Sequence, residues 1–351
     1  MNLHVGLRTL VVALLLALAV AGGVVVATHD RPSSTSEGSS GSLAAARGQC
    51  QGLKHRDVRG LEPTYTHKLL SRFANSDRLC HGIWLPEPRR YFVPQGLAIS
   101  GRTAWVSGFR FREGYGERPC QLVRVDLVTG RRLGFHSSLY GRVGQRPRTY
   151  CRHGGGIMQR GRWLWIVEKN KLWLVDPSQR RTSLDARRVW RIESPARGSA
   201  IVANRTRIGL VPYSTRGRPR IYWYSIRDLI RPGVLDLGLR SSGRSRLGAV
   251  ASTRVPRLTQ GATLDSRGRL YLTRSNLSCS ELVTPFGRRM GFVPGAEGIE
   301  FAAGGRRLWG VSESGAWPYS RSRKPMTPAV SSFEFPRLMS GQRAACRFPA
   351  Y

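Results

Sequence analysis

From about residue 84 onward the chain alternates short apolar runs with tight polar turns, and five stretches repeat one order of residues. Each opens on a polar or small residue, usually followed by Gly. A short apolar run comes next, then a turn rich in Gly, Asn, Asp and Arg, then an apolar strand that in most copies carries an aromatic residue. The pairs are 95–99 with 104–106, 155–158 with 164–167, 199–202 with 208–211, 260–264 with 270–272, and 297–301 with 308–311. Short runs bounded by turn residues predict strands, and turns this tight predict that each pair is a hairpin.

Further alternating runs follow most of these hairpins, at 121–127, 171–176, 188–192 and 221–226. Two hairpins per unit make a four-stranded sheet. Repetition of such sheets at intervals of roughly 40–60 residues predicts an all-β chain folded as a single β-propeller. Five repeat starts predict five blades, or six if 65–84 hides a degenerate one. Residues 331–335 and 83–85 are candidate partners for closing the ring, which would remove exposed sheet edges. Helical periodicity is confined to the N-terminal segment, with one short helix expected within 61–74.

The stretch 9–28 carries no charge and is apolar enough and long enough to span a bilayer. Ala19-Val20-Ala21 also offers a signal-peptidase pattern. Residues 1–28 are therefore expected to be a signal-anchor or a signal peptide. Residues 29–47, rich in Ser and Gly, are expected to be a flexible linker. Residues 48–351 are expected to form the propeller. Either fate of the N-terminus puts the domain outside the cytoplasm, as a single-pass protein with its N-terminus inside or as a secreted one.

Hydrophobic residues make up 40% and charged residues 22%, which excludes a mainly disordered chain and a multi-span membrane protein. Lys and Arg number 57 against 21 acids, a net charge of +36. Such a charge attracts polyanions, although a chain-wide preference for Arg would produce it too. No block of five or six basic residues occurs, so specific nucleic-acid binding is not expected. The expected partners are the membrane, through the N-terminal helix, and an anionic polymer or protein ligand, with the domain itself a monomer.

Six cysteines, none in a C-x-x-C, favour disulfides over zinc in an exported chain. Cys120 and Cys151 precede strands whose preceding loops emerge on the same face of neighbouring blades. Their pairing is expected, with Cys279 as the competitor for Cys120.

The order "QG or EG, apolar strand, turn, aromatic strand", followed in the first unit by Val125-Asp126 and Thr129-Gly130, resembles the broad NHL, SMP-30 and strictosidine-synthase-like propeller superfamily. The resemblance covers 84–335. Residues 297–300 with 309–313 also look like a blade of the phytase esterase-like propellers. The resemblance specifies a fold; it does not carry a function.

In such a propeller the inner strands start together at the mouth of the central channel. That brings Gln95, His153, Gly155, Ser199, Gln260 and Glu297 together, with Glu168, Tyr213, Arg274, Asn276 and Glu313 returning on the second strands. The ligand-binding candidates are Gln95, His153, Ser199, Gln260, Glu297, Glu168 and Glu313. A binding role for a small ligand, glycan or protein at the mouth is favoured over an enzymatic one. The first alternative is a lactonase-like hydrolase in the channel, for which His153 and Glu297 are the catalytic candidates. The second is a basic module that binds anionic envelope polymers or lipid.

The resemblance implies a channel metal held by acidic and amide side chains. Glu297 is the only acid among the strand starts, so no cofactor is expected unless a divalent cation binds there. His153-Gly154-Gly155-Gly156 matches an oxyanion motif of lipases, but no Gly-x-Ser-x-Gly accompanies it. His81 and His136 are the other histidines expected near channel or loop positions. Trp105, Trp165, Tyr271 and Trp309 are expected in the core between blades, and Trp163, Trp173 and Trp223 on blade surfaces.

Overall fold

The computed structural model describes residues 50–65, 68–85, 91–111, 119–320 and 326–348; the N-terminal segment and linker expected at 1–47 lie outside them. After β1 (Leu79–Ile83) come β2 (Phe92–Ser100), β3 (Thr103–Arg110), β4 (Cys120–Asp126) and β5 (Arg132–His136), which form one antiparallel sheet in chain order. Next are β6 (Ser138–Gly141), β7 (Thr149–Tyr150), β8 (Gly156–Arg160), β9 (Trp163–Glu168), β10 (Lys171–Val175) and β11 (Ser183–Ile192). Then follow β12 (Ala200–Ala203), β13 (Arg207–Val211), β14 (Arg220–Ser225), β15 (Asp236–Gly238), β16 (Arg246–Gly248) and β17 (Ala251–Arg254). The last are β18 (Thr259–Leu264), β19 (Leu270–Ser275), β20 (Ser280–Val283), β21 (Arg289–Phe292), β22 (Ala296–Phe301), β23 (Arg307–Ser312) and β24 (Val330–Glu334).

These strands make five sheets, four of four strands and one of eight. The larger sheet is the up-and-down set β8 to β11, widened at its outer edge by β15 and β16 and, through the long β11, by β6 and β7. The inner strands neighbour one another in a closed cycle, β22 to β2 to β8 to β12 to β18 and back to β22. A hydrophobic cluster fills each of the five gaps between neighbouring sheets. Alternation along β9 shows how one strand serves two gaps. Trp165 and Val167 face the β12 sheet, while Leu164 and Ile166 face the β2 sheet. A cycle of radially packed antiparallel sheets is a β-propeller arrangement.

The glycine that follows the first residue of most repeats has a steric cause. A Cβ on Gly96 would sit 2.7 Å from Ile157 N, one on Gly156 2.7 Å from Ala200 Cα, and one on Gly261 2.7 Å from Glu297 O. At Gly298 it would be 2.8 Å from Leu97 N. The inner strands approach so closely at these levels that a side chain does not fit.

The chain's first strand closes the last sheet: β1 pairs antiparallel with β24, placing Leu79 opposite Phe333 and Ile83 opposite Val330. The described residues of 65–84 thus contribute a strand to that sheet and form no sheet of their own. The short helix expected within 61–74 is absent from the described residues there. Pro63 interrupts the segment, and Leu61 and Leu69 are 65% and 59% exposed, so its apolar residues build no buried face. Among the described residues no helix is long and apolar enough to cross a membrane.

Three disulfides join Cys50 to Cys80, Cys120 to Cys151 and Cys279 to Cys346, as fits an oxidising, extracellular environment. Cys120–Cys151 has Cα atoms 5.2 Å apart and ties the first two sheets where the channel mouth opens. The four aromatics assigned to the core are all buried. The blade-surface assignment fails for two of its three tryptophans. Trp173 is fully buried and Trp223 is 9% exposed, because each lies on a central strand covered on both faces; Trp163 is half-buried beneath Arg162.

Candidate functional site

At the end of the ring where the inner strands begin lies a cavity of about 670 Å³. His153, Gly155, Glu168, Ser199 and Tyr213 line it, as the repeat places them. Five residues outside the repeat grammar also line it: Arg152, Lys169, Asn170, Arg197 and Gly198. Arg152, Lys169 and Arg197 are exposed and carry positive charge to the rim. The lining has one acid, Glu168, and its charge is already used. One carboxylate oxygen accepts from Arg152 N at 2.8 Å and the other pairs with Lys171 Nζ at 3.1 Å. The cavity is therefore cationic at its rim and neutralised at its only acid.

Behind this cavity runs a chain of hydrogen bonds linking three of the five repeat starts, Gln95, Gln260 and Glu297, to His153. The buried Gln95 donates Nε2–H to Glu313 Oε2 at 2.7 Å. Its Oε1 lies 3.1 Å from His153 Nε2, and an amide oxygen only accepts, so His153 carries a proton on Nε2. The imidazole stacks on Phe109 with centroids 4.4 Å apart, which fixes its plane. Gln260 Nε2 donates to Glu297 Oε1 at 2.8 Å. Glu297 and Glu313 hydrogen-bond to each other, and Tyr319 also bonds Glu313.

Burial, then the neighbouring Glu313, raises the Glu297 carboxyl well above the usual carboxylate range. Burial raises Glu313 as well, against the hydrogen bonds from Gln95, Glu297 and Tyr319 that favour its charge. Two touching buried carboxyls do not both ionise at little cost, so the pair shares a proton, with Glu297 as donor and Glu313 as acceptor.

A hard divalent cation does not fit this arrangement. Both glutamine amides turn Nε2–H toward the carboxyls, and the carboxyls spend oxygens on each other. A cation of that kind needs several free anionic or carbonyl oxygens. Among the described residues Cys120, Cys151 and Glu168 gather as metal-type groups, but the two sulfurs are bonded to each other.

Other expected residues take structural roles. Arg274 pairs with the buried Glu281 and donates to Arg257 O at 2.9 Å. Asn276 Oδ1 accepts from Ser278 N and Cys279 N, holding a turn. His81 sits between strands, bonded to Ser332 Oγ at 3.0 Å and Arg307 at 2.8 Å, and burial lowers its pKa to about 4. His136 bonds Arg181 O at 2.9 Å and stacks on Trp105. Neither of these two histidines, expected near channel or loop positions, reaches the channel: His81 is held within its own sheet by β24 and β23, and His136 ends β5 against the loop at Arg181, so His153 alone of the three lines the cavity. In the His-Gly-Gly-Gly run, a Cβ on Gly155 would lie 2.4 Å from Ser199 O, so the glycines serve close packing. Ser312 is buried and donates to Pro294 O at 2.6 Å, which leaves no exposed nucleophile there.

At the opposite end of the ring a second cavity of about 390 Å³ is lined from four inner strands and holds Glu300. Burial raises this carboxyl to about 8. The repeat grammar reads strand starts, and Glu300 stands further along its strand.

No protein-family model and no curated protein matches this sequence. Solved structures are similar at low identity. Glutaminyl cyclase from Myxococcus xanthus is 11% identical with a TM-score of 0.44, covering 79% of this chain and 97% of that one. A calcium-binding protein, regucalcin, from Agrobacterium tumefaciens is 12% identical with a TM-score of 0.41, covering 77% and 96%. A PQQ-bound aldose sugar dehydrogenase from Streptomyces coelicolor is 13% identical with a TM-score of 0.41, covering 73% and 97%. The assignment of this fold rests on the sheet cycle itself.

Proposed function

We propose that this protein is an extracytoplasmic, five-bladed propeller, membrane-tethered through residues 1–28 or secreted, that binds a small organic anion at its channel mouth. The observation that carries the reading is the cavity lining: Arg152, Lys169 and Arg197 face a space whose single acid is neutralised. Its volume of about 670 Å³ suits a metabolite-sized ligand. Guanidinium and ammonium groups hold carboxylate, while Ser199, Asn170 and His153 offer hydrogen bonds to hydroxyls. The chain's net charge of +36 draws anions toward the site.

The ligand class is a sugar acid or hydroxy acid. Isothermal titration with glucuronate and with glucose tests it. The expected result is binding of the acid alone, weakened about tenfold or more by Lys169→Ala with Arg197→Ala, as loss of charge-assisted hydrogen bonds requires. Equal affinity for the neutral sugar, or no effect of the double substitution, counts against the reading.

A second reading, a lactonase-like hydrolase, is favoured by the carboxyl pair. Glu297 and Glu313 hold a proton at the end of a chain that reaches His153 in the cavity. Its test is acid release from aliphatic lactones. Turnover lost by about a hundredfold in Glu313→Gln supports general acid–base work; absence of turnover in the unmodified protein removes it.

A further inference from the structure

The end of the ring opposite the mouth carries a repeated feature that the proposed ligand site does not use. One exposed arginine stands on each of the five inner hairpin turns: Arg102, Arg162, Arg205, Arg267 and Arg306. These turns share one end of the molecule. Arg160, at the close of β8, donates to Asn204 O at 3.1 Å and Arg205 O at 2.6 Å on the next inner hairpin. The cavity there takes its lining from the ends of β8, β12, β18 and β22.

Several acids at this end, on the inner hairpins and on the turns beside them, are engaged by backbone and neighbouring side chains. Asp265 accepts from Arg267 N at 3.0 Å and Arg269 N at 2.9 Å, and pairs with Arg269 Nε at 2.7 Å. Asp126 accepts from Val128 N and Thr129 N, both at 2.8 Å, and pairs with Arg102 Nε at 3.0 Å. Arg306, with its side chain 83% exposed, lies 3.5 Å from Glu334. The carboxylates thus serve largely to shape turns; Arg102 and Arg306 each share one while staying exposed, and Arg162, Arg205 and Arg267 carry their charge outward.

An apolar group joins them. Phe286 is 78% exposed, at the tip of the turn between β20 and β21. Val283 pairs with Leu272, close to the start of β19, so this turn leaves the sheet at the same end as the turn bearing Arg267. An aromatic ring held on a hairpin tip gains from the apolar edge of a headgroup layer, where its body leaves water.

We propose that this end of the ring is a docking surface for an anionic lipid bilayer, with the turn arginines on lipid phosphates and Phe286 inserted among the headgroups. The surface leaves the channel mouth facing away from the membrane and open to ligand.

Amide hydrogen exchange on the full chain tests it, with vesicles of phosphatidylcholine alone or mixed equally with phosphatidylglycerol. The expected result is exchange slowed several-fold at 101–102, 265–269 and 284–288 on the anionic vesicles only, with 197–199 and 213–218 at the mouth unchanged. Arg162→Glu with Arg267→Glu is expected to abolish the protection, and Phe286→Ser to reduce it. The control pair at the mouth, Arg216→Glu with Arg218→Glu, is expected to leave it intact, with circular dichroism showing each variant folded. Equal protection at both ends, or equal loss from the two arginine pairs, would mean adsorption by net charge and overturns the proposal. It is also overturned if Phe286→Ser has no effect and soluble polyphosphate gives the same protection, since the surface would then serve a polymer.

Discussion

Glu300 is the residue whose ionisation the fold resists most simply, because burial is the cause of its shift and no coupled partner shares it. Its carboxyl rises from 4.5 to about 8. A raised carboxyl pKa favours the folded state fully below about 4.5, and that contribution is lost as pH rises through 8. Stability should therefore fall between these pH values. Glu300→Gln should flatten the fall, gaining on the order of 1–3 kcal/mol relative to the unmodified protein at the upper end. Urea midpoints measured at pH 5 and pH 8 check this, and an unchanged difference between the two would show that Glu300 ionises freely. At this scale the sequence was half legible. Gln95, Gln260, Glu297, Glu313 and His153 stand at strand starts or ends, where a repeat can be counted. Arg152, Lys169 and Arg197 stand in loops and Tyr319 in the short helix Trp317–Ser320, whose courses depend on how the sheets close, and no local pattern marks them.

Individual strands owe their positions to two local signals, alternation and the glycine after each strand start. The glycine argument predicts a graded response. Gly156→Ala should cost about 1–3 kcal/mol, because its Cβ meets backbone of the next inner strand, which has little room to yield. Gly134→Ala is the control: its Cβ would have its nearest contact at 3.6 Å, so thermal unfolding should hardly move. Equal shifts in the two melting temperatures would contradict the close approach. Replacing Cys120 and Cys151 together by Ser should cost about 3 kcal/mol on the chain-entropy view. It should also weaken ligand binding, since Cys151 adjoins Arg152 and His153. Peptide mapping without reductant checks the pairing, and denaturant titration checks the cost. The sheet's outer additions, β6, β7, β15 and β16, escaped the sequence reading. They are two to four residues long; three of them pair in parallel, and two of those, β6 and β15, pair with β11, a strand distant in sequence. Pairings of that kind are decided by tertiary packing and leave no period behind.

For the molecule as a whole, the cycle of sheets closes within the described residues, since β1 at one end of the domain completes the sheet of β22 to β24. Among the described residues all strands lie between Leu79 and Glu334. Removing residues 1–47 should therefore leave a protein that unfolds in one cooperative transition with an unchanged midpoint. A broadened or lower transition would mean that the N-terminal segment stabilises the domain. Ring architecture was legible because it repeats, whereas the sorting of charge was not. Arginines scattered evenly along the chain become a rim around the mouth and a set of turn tips at the far end only once the strands alternate in direction. The central claim, an organic anion seated among Lys169, Arg197, Ser199 and His153, is tested most directly by a crystal structure grown with glucuronate. The account predicts its carboxylate at about 3 Å from Lys169 Nζ or the Arg197 guanidinium, with the sugar hydroxyls toward Ser199 and His153. Glucuronate found beside Glu300 instead, or a mouth left without it at saturating concentration, would contradict the account.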